Sequence, residues 1–363
     1  MGKAKKSTGK KILKALLAVL LALILIVLGY AVYLQISYYR IGDKQLETEN
    51  DTAAVMETGV SYRLASWNIG FGAYTKDFGF FMDGGKESRA VSSEKLEENM
   101  KRITEKAVSL NADLFAFQEV DCDSDRSWHR DERKDLASAL SGMGSVFAMN
   151  YDSPYLFWPP LCPHGASRSG LYLFSRFGMS DSRRVELPVE DGITKMLDLD
   201  RCYLKTRMQV ADGSELVMYD LHLSAYTTDG IISDEQLNIL LDDMSSEQEK
   251  GNRCIACGDF NKDLLGNSDE VFGCVNNDYA WAKPLPEGMI ENHGFTLVCP
   301  DSTFPSCRNA DSAYHDGQFL VTVDGFITGK GVRVESAEVA VKDADEMFLW
   351  SDHNPVVLTF TLE

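Results

Sequence analysis

The sequence predicts an α/β domain carried behind one membrane-spanning helix, and three observations lead there. Residues 15–39 carry no charge and are mostly Leu, Ala, Ile and Val. Beyond residue 60, short apolar runs suited to buried strands alternate with segments of 3.6-residue periodicity suited to amphipathic helices. Asn68, Glu119, His222, Asp259, Asn261, Asp324, Asp352 and His353 all fall at the ends of predicted strands, where α/β folds gather ligands.

The apolar run comes first. Its roughly 25 residues span about 37 Å as a helix, enough to cross a bilayer with some tilt. Lys3, Lys5, Lys6, Lys10, Lys11 and Lys14 all precede it. The positive-inside rule therefore makes 1–14 a cytoplasmic basic tail and exports the rest of the chain. A cleaved signal peptide is the competing reading. The run is long for one and no small-x-small cleavage site follows, which favours an uncleaved anchor in the cell membrane. Residues 40–60 are polar and aperiodic, as a tether would be, and 61–363 remain for the exported domain.

The length suits one large α/β domain or two small ones. Hydrophobic content of 44% and charged content of 25% exclude wholesale disorder. The formal charge is −19, and the first forty residues contribute +7, leaving −26 on the rest. Such a surface repels polyanions, which excludes tight nonspecific DNA binding through a basic face but leaves a nucleic acid open as substrate. Eight cysteines in an exported domain have the means to form disulfides. Cys254 and Cys257 have CxxC spacing, but no second pair completes a zinc site, and their apolar setting makes them core residues.

Taken in order, residues 61–69 alternate well enough for a strand ending at Asn68, and Gly70 and Gly72 open a long loop. Residues 92–110 form a helix with Leu96, Met100, Ile103, Ala107 and Leu110 on one face and Ser92 or Ser93 as its cap. Residues 114–119 make a buried strand with Gln118 and Glu119 at its C-terminal end. A short helix over 131–140 and a strand over 145–150 lead to a Pro-rich aromatic loop, 154–164. That loop reads equally as a substrate lid or membrane-contacting rim and as a plain packed loop. Residues 169–176 and 183–187 are strands, and 201–210 and 215–223 form a hairpin around Asp212 and Gly213. His222 sits among apolar neighbours and, alone, reads as a satisfied core histidine. A helix over 233–249, capped by Ser233, feeds the strand 254–257. Gly258 then frees the backbone, and Asp259 and Asn261, two apart, project from one side of an extended chain. Residues 263–318 are irregular apart from a strand near 296–298. One buried strand is expected over 319–327, carrying Asp324 in apolar company, where a carboxylate needs a partner. Asp352 and His353 come just before Pro355 and a last strand, 356–361.

Six short signatures run through these strand ends: Ser66-Trp67-Asn68, Phe117-Gln118-Glu119, Leu221-His222-Leu223-Ser224, Gly258-Asp259-Phe260-Asn261, Val323-Asp324-Gly325-Phe326-Ile327 and Ser351-Asp352-His353-Asn354-Pro355. In order and context they resemble the endonuclease/exonuclease/phosphatase superfamily. That superfamily includes pancreatic-type deoxyribonucleases, abasic-site endonucleases, neutral sphingomyelinases and inositol polyphosphate 5-phosphatases. The resemblance covers residues 61–363. It implies an α/β four-layer sandwich, two mixed β-sheets face to face and flanked by helices, with the site at one edge. It also implies phosphoester hydrolysis with Mg²⁺ or Mn²⁺ in a catalytic domain.

Carried onto this chain, the resemblance makes Glu119 a metal ligand, helped by Asn68 and, at a second position or in a second state, by Asp352. His353 becomes the general base or an imidazolium holding the phosphate, oriented by Asp324, and Asp259 the other candidate for activating water. Asn261 and His222 would hydrogen-bond phosphate oxygens. One departure stands out. Deoxyribonuclease-like members carry a Glu that pairs with the first histidine, where this chain has Ser169 and Gly170. Arg168 and Arg176 are the nearest basic residues expected to meet a phosphate. The expected activity is therefore hydrolysis of a small or lipid-borne phosphoester outside the membrane. A surface nuclease is the second reading, and a binding module on a dead scaffold the third.

Overall fold

The computed structural model describes residues 3–190, 200–225, 230–274 and 281–363, with the side chains of 3–8 outside that description. Part of the irregular stretch expected over 263–318, at 275–280, and the first two residues of the basic tail lie outside the described residues. Two compact units result, Met1–Tyr39 and Arg40–Glu363. The first is one helix, α1 (Lys3–Ser37). Its segment Gly9–Ser37 is long and apolar enough to cross a membrane. The lysine-rich stretch expected as a separate tail forms the first turns of that same helix.

The second unit contains fifteen strands among the described residues. In chain order these are β1 (Lys44–Gln45), β2 (Ser61–Asn68), β3 (Leu114–Asp121), β4 (Gly144–Leu156) and β5 (Gly165–Ser175). They continue with β6 (Met179–Leu187), β7 (Arg201–Gln209), β8 (Glu215–His222), β9 (Arg253–Asp259) and β10 (Thr296–Val298). The last are β11 (Cys307–Arg308), β12 (Leu320–Val321), β13 (Asp324–Thr328), β14 (Val332–Val339) and β15 (Val356–Leu362). One sheet runs β1-β6-β7-β8-β9-β13-β10, the other β14-β15-β2-β3-β5-β4, and β11 pairs with β12 apart from them. Both large sheets are mixed, because β2 lies parallel to β3 and β8 parallel to β9 while their other pairs are antiparallel.

The sheets face each other across an apolar layer. Leu64, Ala116, Leu171 and Leu173 come from one face, and Leu204, Met218, Ile255, Cys257 and Phe326 from the other. Helix α2 (Ser93–Leu110) and α3 (Glu132–Ala139) cover one sheet through Leu96, Met100, Ile103 and Leu136. Helix α4 (Ile231–Glu249) covers the other through Leu237, Leu240, Leu241 and Met244. The result is the four-layer sandwich, with each parallel strand pair joined by a crossover through a covering helix, as a parallel connection requires. A short helix, α5 (Ser268–Phe272), sits beside β12.

Ser92 caps α2 as expected, its hydroxyl accepting from Lys95 N–H at 3.2 Å. Several other expectations are corrected. α4 begins two residues before Ser233, behind Gly230 in the left-handed region, and the Ser233 hydroxyl donates to Gly230 O at 2.9 Å instead of capping. The strand expected over 319–327 is two strands in different sheets. The chain bends between them because Val323 and Asp324 N–H donate to Ser306 Oγ. β4 runs through Pro154, which an edge strand tolerates at a register break. All eight cysteines are free thiols, and Cys254 and Cys257 are buried core residues.

Residues 40–60, expected as a loose tether, lie along the domain. β1 pairs with β6, Glu49 bridges Ser145, Met56 bridges Val210, and Met56 is fully buried. Arg40 Nη2 donates to Leu187 O at 2.6 Å and pairs with Glu186 at 2.8 Å. The buried Arg184 guanidinium donates to the carbonyls of Ile41 and Gly42. Polar composition hid this docking because its contacts are mostly backbone ones.

Candidate active site

The two parallel strand pairs decide what meets at the edge of the sandwich. Register places Asn68 beside Gln118 and His222 beside Asp259. β13 runs antiparallel to β9 and sets Asp324 opposite Asp259. The sheets join at these ends: Asn68 Nδ2 donates to Asp259 Oδ2 at 3.0 Å and to Glu119 Oε1 at 3.3 Å. Deeper, Gln118 Nε2 donates to the buried Asp220 at 2.7 Å, a second link between them. β3 shifts register between Phe117 and Val120, and Glu119 sits there at φ +56°. Such a bulge re-aims a side chain, and Glu119 lines the cleft at the strand ends.

The segment 351–354 is fastened over this edge. Ser351 Oγ donates to Asn68 O at 2.8 Å, Trp67 Nε1 to His353 O at 2.9 Å and Asn354 Nδ2 to Pro305 O at 2.9 Å. His353 Nδ1 lies 2.8 Å from Asp324 Oδ2, and its Nε2 lies 3.6 Å from Asp259 Oδ2 and 3.4 Å from Cys307 Sγ. Ser306 Oγ donates to the same Asp324 oxygen at 2.7 Å. Asp324 Oδ1 is buried without a hydrogen bond among the described residues. On the other side, His222 Nε2 stands 3.6 Å from Asp259 Oδ2. Asn261, at φ +49°, anchors its amide on Leu223 O at 2.8 Å, and its N–H caps Asp259 Oδ1 at 2.9 Å.

The electrostatics divide these groups. Burial pushes Asp259 up to about 6, moderated by His353 and reinforced by Asp324. Burial pushes Asp352 up to about 7 although His353 and Arg308 oppose it, with Glu119 and Asp83 adding to the rise. His353 is subject to the opposite burial effect, yet Asp324, Cys307 and Asp259 hold it well above the usual histidine value. Burial, with Arg201 next, holds His222 well below that value. One imidazole is thus biased to the charged form and the other to the neutral form.

The acidic edge suits a hard divalent cation. Glu119 and Asp352 line one cavity of about 90 Å³, and their mutual repulsion is what a cation would relieve. Asn68 fits less directly as a ligand. Its Oδ1 accepts Gly70 N–H at 2.9 Å while its Nδ2 faces Glu119, so the side chain aligns that carboxylate. Asp259, Asp324 and His353 also lie close enough to share an ion, but the 2.8 Å contact of Asp324 with Nδ1 reads as an orienting hydrogen bond.

The eight residues predicted from strand ends all converge here. Arg168 and Arg176 do not: they pair with Asp152 and Asp113 at 3.5 and 3.6 Å. In their place are Arg126, in a single 3-10 turn, Arg201, at the start of β7, and Arg308, in the two-residue β11, all too short or too terminal to carry a periodic signal. Ser306 and Cys307 escaped notice for the same reason. No β5 carboxylate approaches His222, and none fits at 170, since a Cβ on Gly170 would meet Ala148 O at 2.3 Å.

Residues 65–309 match the model of the Endonuclease/Exonuclease/phosphatase family. Among solved structures, one described as endonuclease/exonuclease/phosphatase from Beutenbergia cavernae DSM 12333 is 19% identical, with a TM-score of 0.58, over 83% of this chain and 72% of that one. ANGEL2, described as a 2',3'-cyclic phosphatase, is 17% identical at a TM-score of 0.54 over 88% and 99%. The mannosyl-6-phosphatase Bt3783 of Bacteroides thetaiotaomicron VPI-5482 is 16% identical at 0.52 over 83% and 100%. At such identities the likeness is one of fold. No curated protein matches the chain.

Proposed function

This chain belongs to the endonuclease/exonuclease/phosphatase family, and from that premise we propose that it is a Mg²⁺- or Mn²⁺-dependent hydrolase of a small or lipid-borne phosphoester, held outside the cell membrane by its N-terminal helix. The convergence of the His353–Asp324 pair, Asp259, His222 and the Glu119–Asp352 edge on one cleft carries this reading. The names of two fold neighbours, a cyclic phosphatase and a mannosyl-6-phosphatase, support the reaction class.

Glu119 and Asp352 would hold the cation, with Asn68 aligning Glu119. Carboxylate oxygens with room for retained water are what Mg²⁺ accepts. Once bound, the ion supplies charge to offset that developing on the phosphoryl and leaving oxygens. Asp324 fixes the His353 ring through Nδ1, so Nε2–H faces the cleft and donates to a phosphoryl oxygen. Asp259, held near 6, accepts the proton of the attacking water, a task that favours a pKa close to the working pH. Neutral His222 and the anchored Asn261 amide donate to the oxygens of the five-coordinate transition state.

An exposed apolar loop supports the lipid-borne arm. Phe157, Trp158 and Leu161 are 51%, 66% and 101% exposed at the β4–β5 turn, and exposed aromatic clusters commonly mark contact surfaces. The test uses the full chain in nanodiscs, with Mg²⁺ or with EDTA. The panel is plasmid DNA, RNA, sphingomyelin, phosphoinositides, soluble inositol phosphates and bis-p-nitrophenyl phosphate. Turnover of the lipid or soluble phosphoesters should require Mg²⁺ and disappear in Glu119→Ala with the fold retained. Strong plasmid nicking would overturn the substrate reading in favour of a nuclease, and activity surviving Glu119→Ala would overturn the metal assignment.

A further inference from the structure

A second cavity, of about 80 Å³, adjoins the reacting cleft, and Tyr74, Glu119, Arg201 and His222 line both. Its remaining walls include Arg126, Asn150, Tyr151, His164 and Ser169, and Glu119 is the one acidic group among its described lining residues. Arg126 and Arg201 are each 7% exposed. Arg126 is held from behind, its Nε and Nη2 donating to Asp121 at 3.0 and 2.8 Å. Its guanidinium also lies 4.0 Å from the Phe71 ring centre. Ser169 Oγ, in a residue 3% exposed, has no hydrogen-bond partner among the described residues.

The chamber owes its existence to the sequence of β5. Ser169 and Gly170 are small, and β4 packs so closely that nothing larger than glycine fits at 170. A carboxylate reaching His222 from this strand would occupy the space and cancel one guanidinium. Small residues instead leave Arg201, a buried hydroxyl and the guanidinium of Arg126, which Asp121 holds and Glu119 approaches at 3.9 Å, around a space next to the ring of His222. A space with these polar walls beside Phe80 and Met82 suits a compact polar group. Guanidinium groups recognise carboxylate and phosphate oxygens best, and do so strongly where water is excluded.

We propose that this chamber receives the alcohol side of the phosphoester and selects a compact alcohol that bears an anionic substituent, a carboxylate or a second phosphate. The inference rests on the phosphoester-hydrolase reading above and narrows its substrate class.

Three competitors share a three-carbon 2-phosphate skeleton and gain anionic groups stepwise: glycerol 2-phosphate has none beyond its phosphate, 2-phosphoglycerate adds a carboxylate, and 2,3-bisphosphoglycerate adds a carboxylate and a second phosphate. Their Ki values are measured on the full chain in nanodiscs at fixed free Mg²⁺. The reporter is whichever of p-nitrophenyl phosphate or bis-p-nitrophenyl phosphate the protein hydrolyses. Ki should fall at least tenfold from glycerol 2-phosphate to the two anionic competitors. Arg201→Gln should reduce that ratio to near one and Arg201→Lys restore part of it. Ser169→Glu, which places an acid in the chamber and leaves both arginines, should also remove the ratio. Equal Ki values in the unaltered chain, or a ratio that survives both Arg201→Gln and Ser169→Glu, would overturn the inference while leaving hydrolysis standing. Absence of Mg²⁺-dependent hydrolysis of either reporter would instead overturn the underlying reading, and this inference with it.

Discussion

At the scale of single residues, the two histidines are held in opposite protonation states by different neighbours. The Asp324 carboxylate favours the protonated form of His353, while burial and Arg201 bias His222 to the neutral form. Asp259 lies 3.6 Å from both. If Asp259 is the base, kcat/KM should fall about tenfold per pH unit below about 6, where its carboxylate becomes protonated, and level off above. The charged form of His353 should sustain activity through neutrality, with an alkaline limb above the usual histidine range. Asp324→Asn removes the counter-charge. It should lower kcat by roughly 10²–10⁴ and move the alkaline limb to lower pH. A profile measured on wild type and variant checks both statements, and an unmoved limb would separate Asp324 from His353 protonation.

At the scale of elements, a buried ionic cluster fastens α4 to its sheet. The Glu247 carboxylate, almost fully buried, accepts Lys205 at 3.0 Å, Arg207 at 2.7 and 2.8 Å, Lys250 at 2.9 Å and Asn252 at 2.9 Å. Burial alone would raise its pKa, but Arg207, Lys250 and Lys205 hold it well below the ordinary value. A carboxylate depressed on folding contributes stability above its unfolded pKa of about 4.3 and loses it as pH falls through the folded value. Lys205 keeps Asp243 at 2.6 Å and Arg207 keeps Glu215 at 2.9 Å, so Glu247→Gln should cost roughly 1–3 kcal/mol near neutrality. The gap to wild type should narrow progressively as pH falls below about 4. Denaturant titrations at pH 7 and pH 3 test this. Gly258 is a second element-level constraint: at φ +141°, with a Cβ position 2.0 Å from Leu221 O, it lets β9 lie against β8 as it delivers Asp259.

At the scale of the whole molecule, the compact folded unit includes residues 40–60. A version starting at residue 61 would lose β1, the buried Met56 and the carbonyls that receive the Arg184 guanidinium. Arg184 would keep only Met149 O, at 2.7 Å, and losing its other acceptors together with the Met56 side chain costs several kcal/mol; for a domain this size each kcal/mol is worth about 2–4 °C. A version starting at residue 40 should accordingly melt about 10 °C higher than one starting at 61. Equal melting temperatures would return these residues to the role of a tether. Asp200, whose Oδ1 accepts Ile41 N–H at 3.0 Å, precedes Arg201, so the same truncation also loosens a wall of the proposed chamber.

The sequence by itself determined the elements and the chemistry at their ends. Helical periodicity located α2, which buries one face, and short apolar runs located β8 and β15, which are buried on both faces. All eight strand-end residues were legible, since a polar side chain ending an apolar run stands out against its local background. What depended on distant contacts was not legible. The break at Thr322–Val323, set by Ser306, and the docking of 40–60 through backbone bonds leave no periodic trace. Arg126 and Arg201 enter the site because β3, β5 and β7 pack as they do, whereas Arg168 and Arg176, nearer in sequence, turn to surface carboxylates. Protonation states belong to the tertiary structure as well. Burial and neighbouring charge set them, and both exist only once two sheets have brought strands far apart in the chain to one edge.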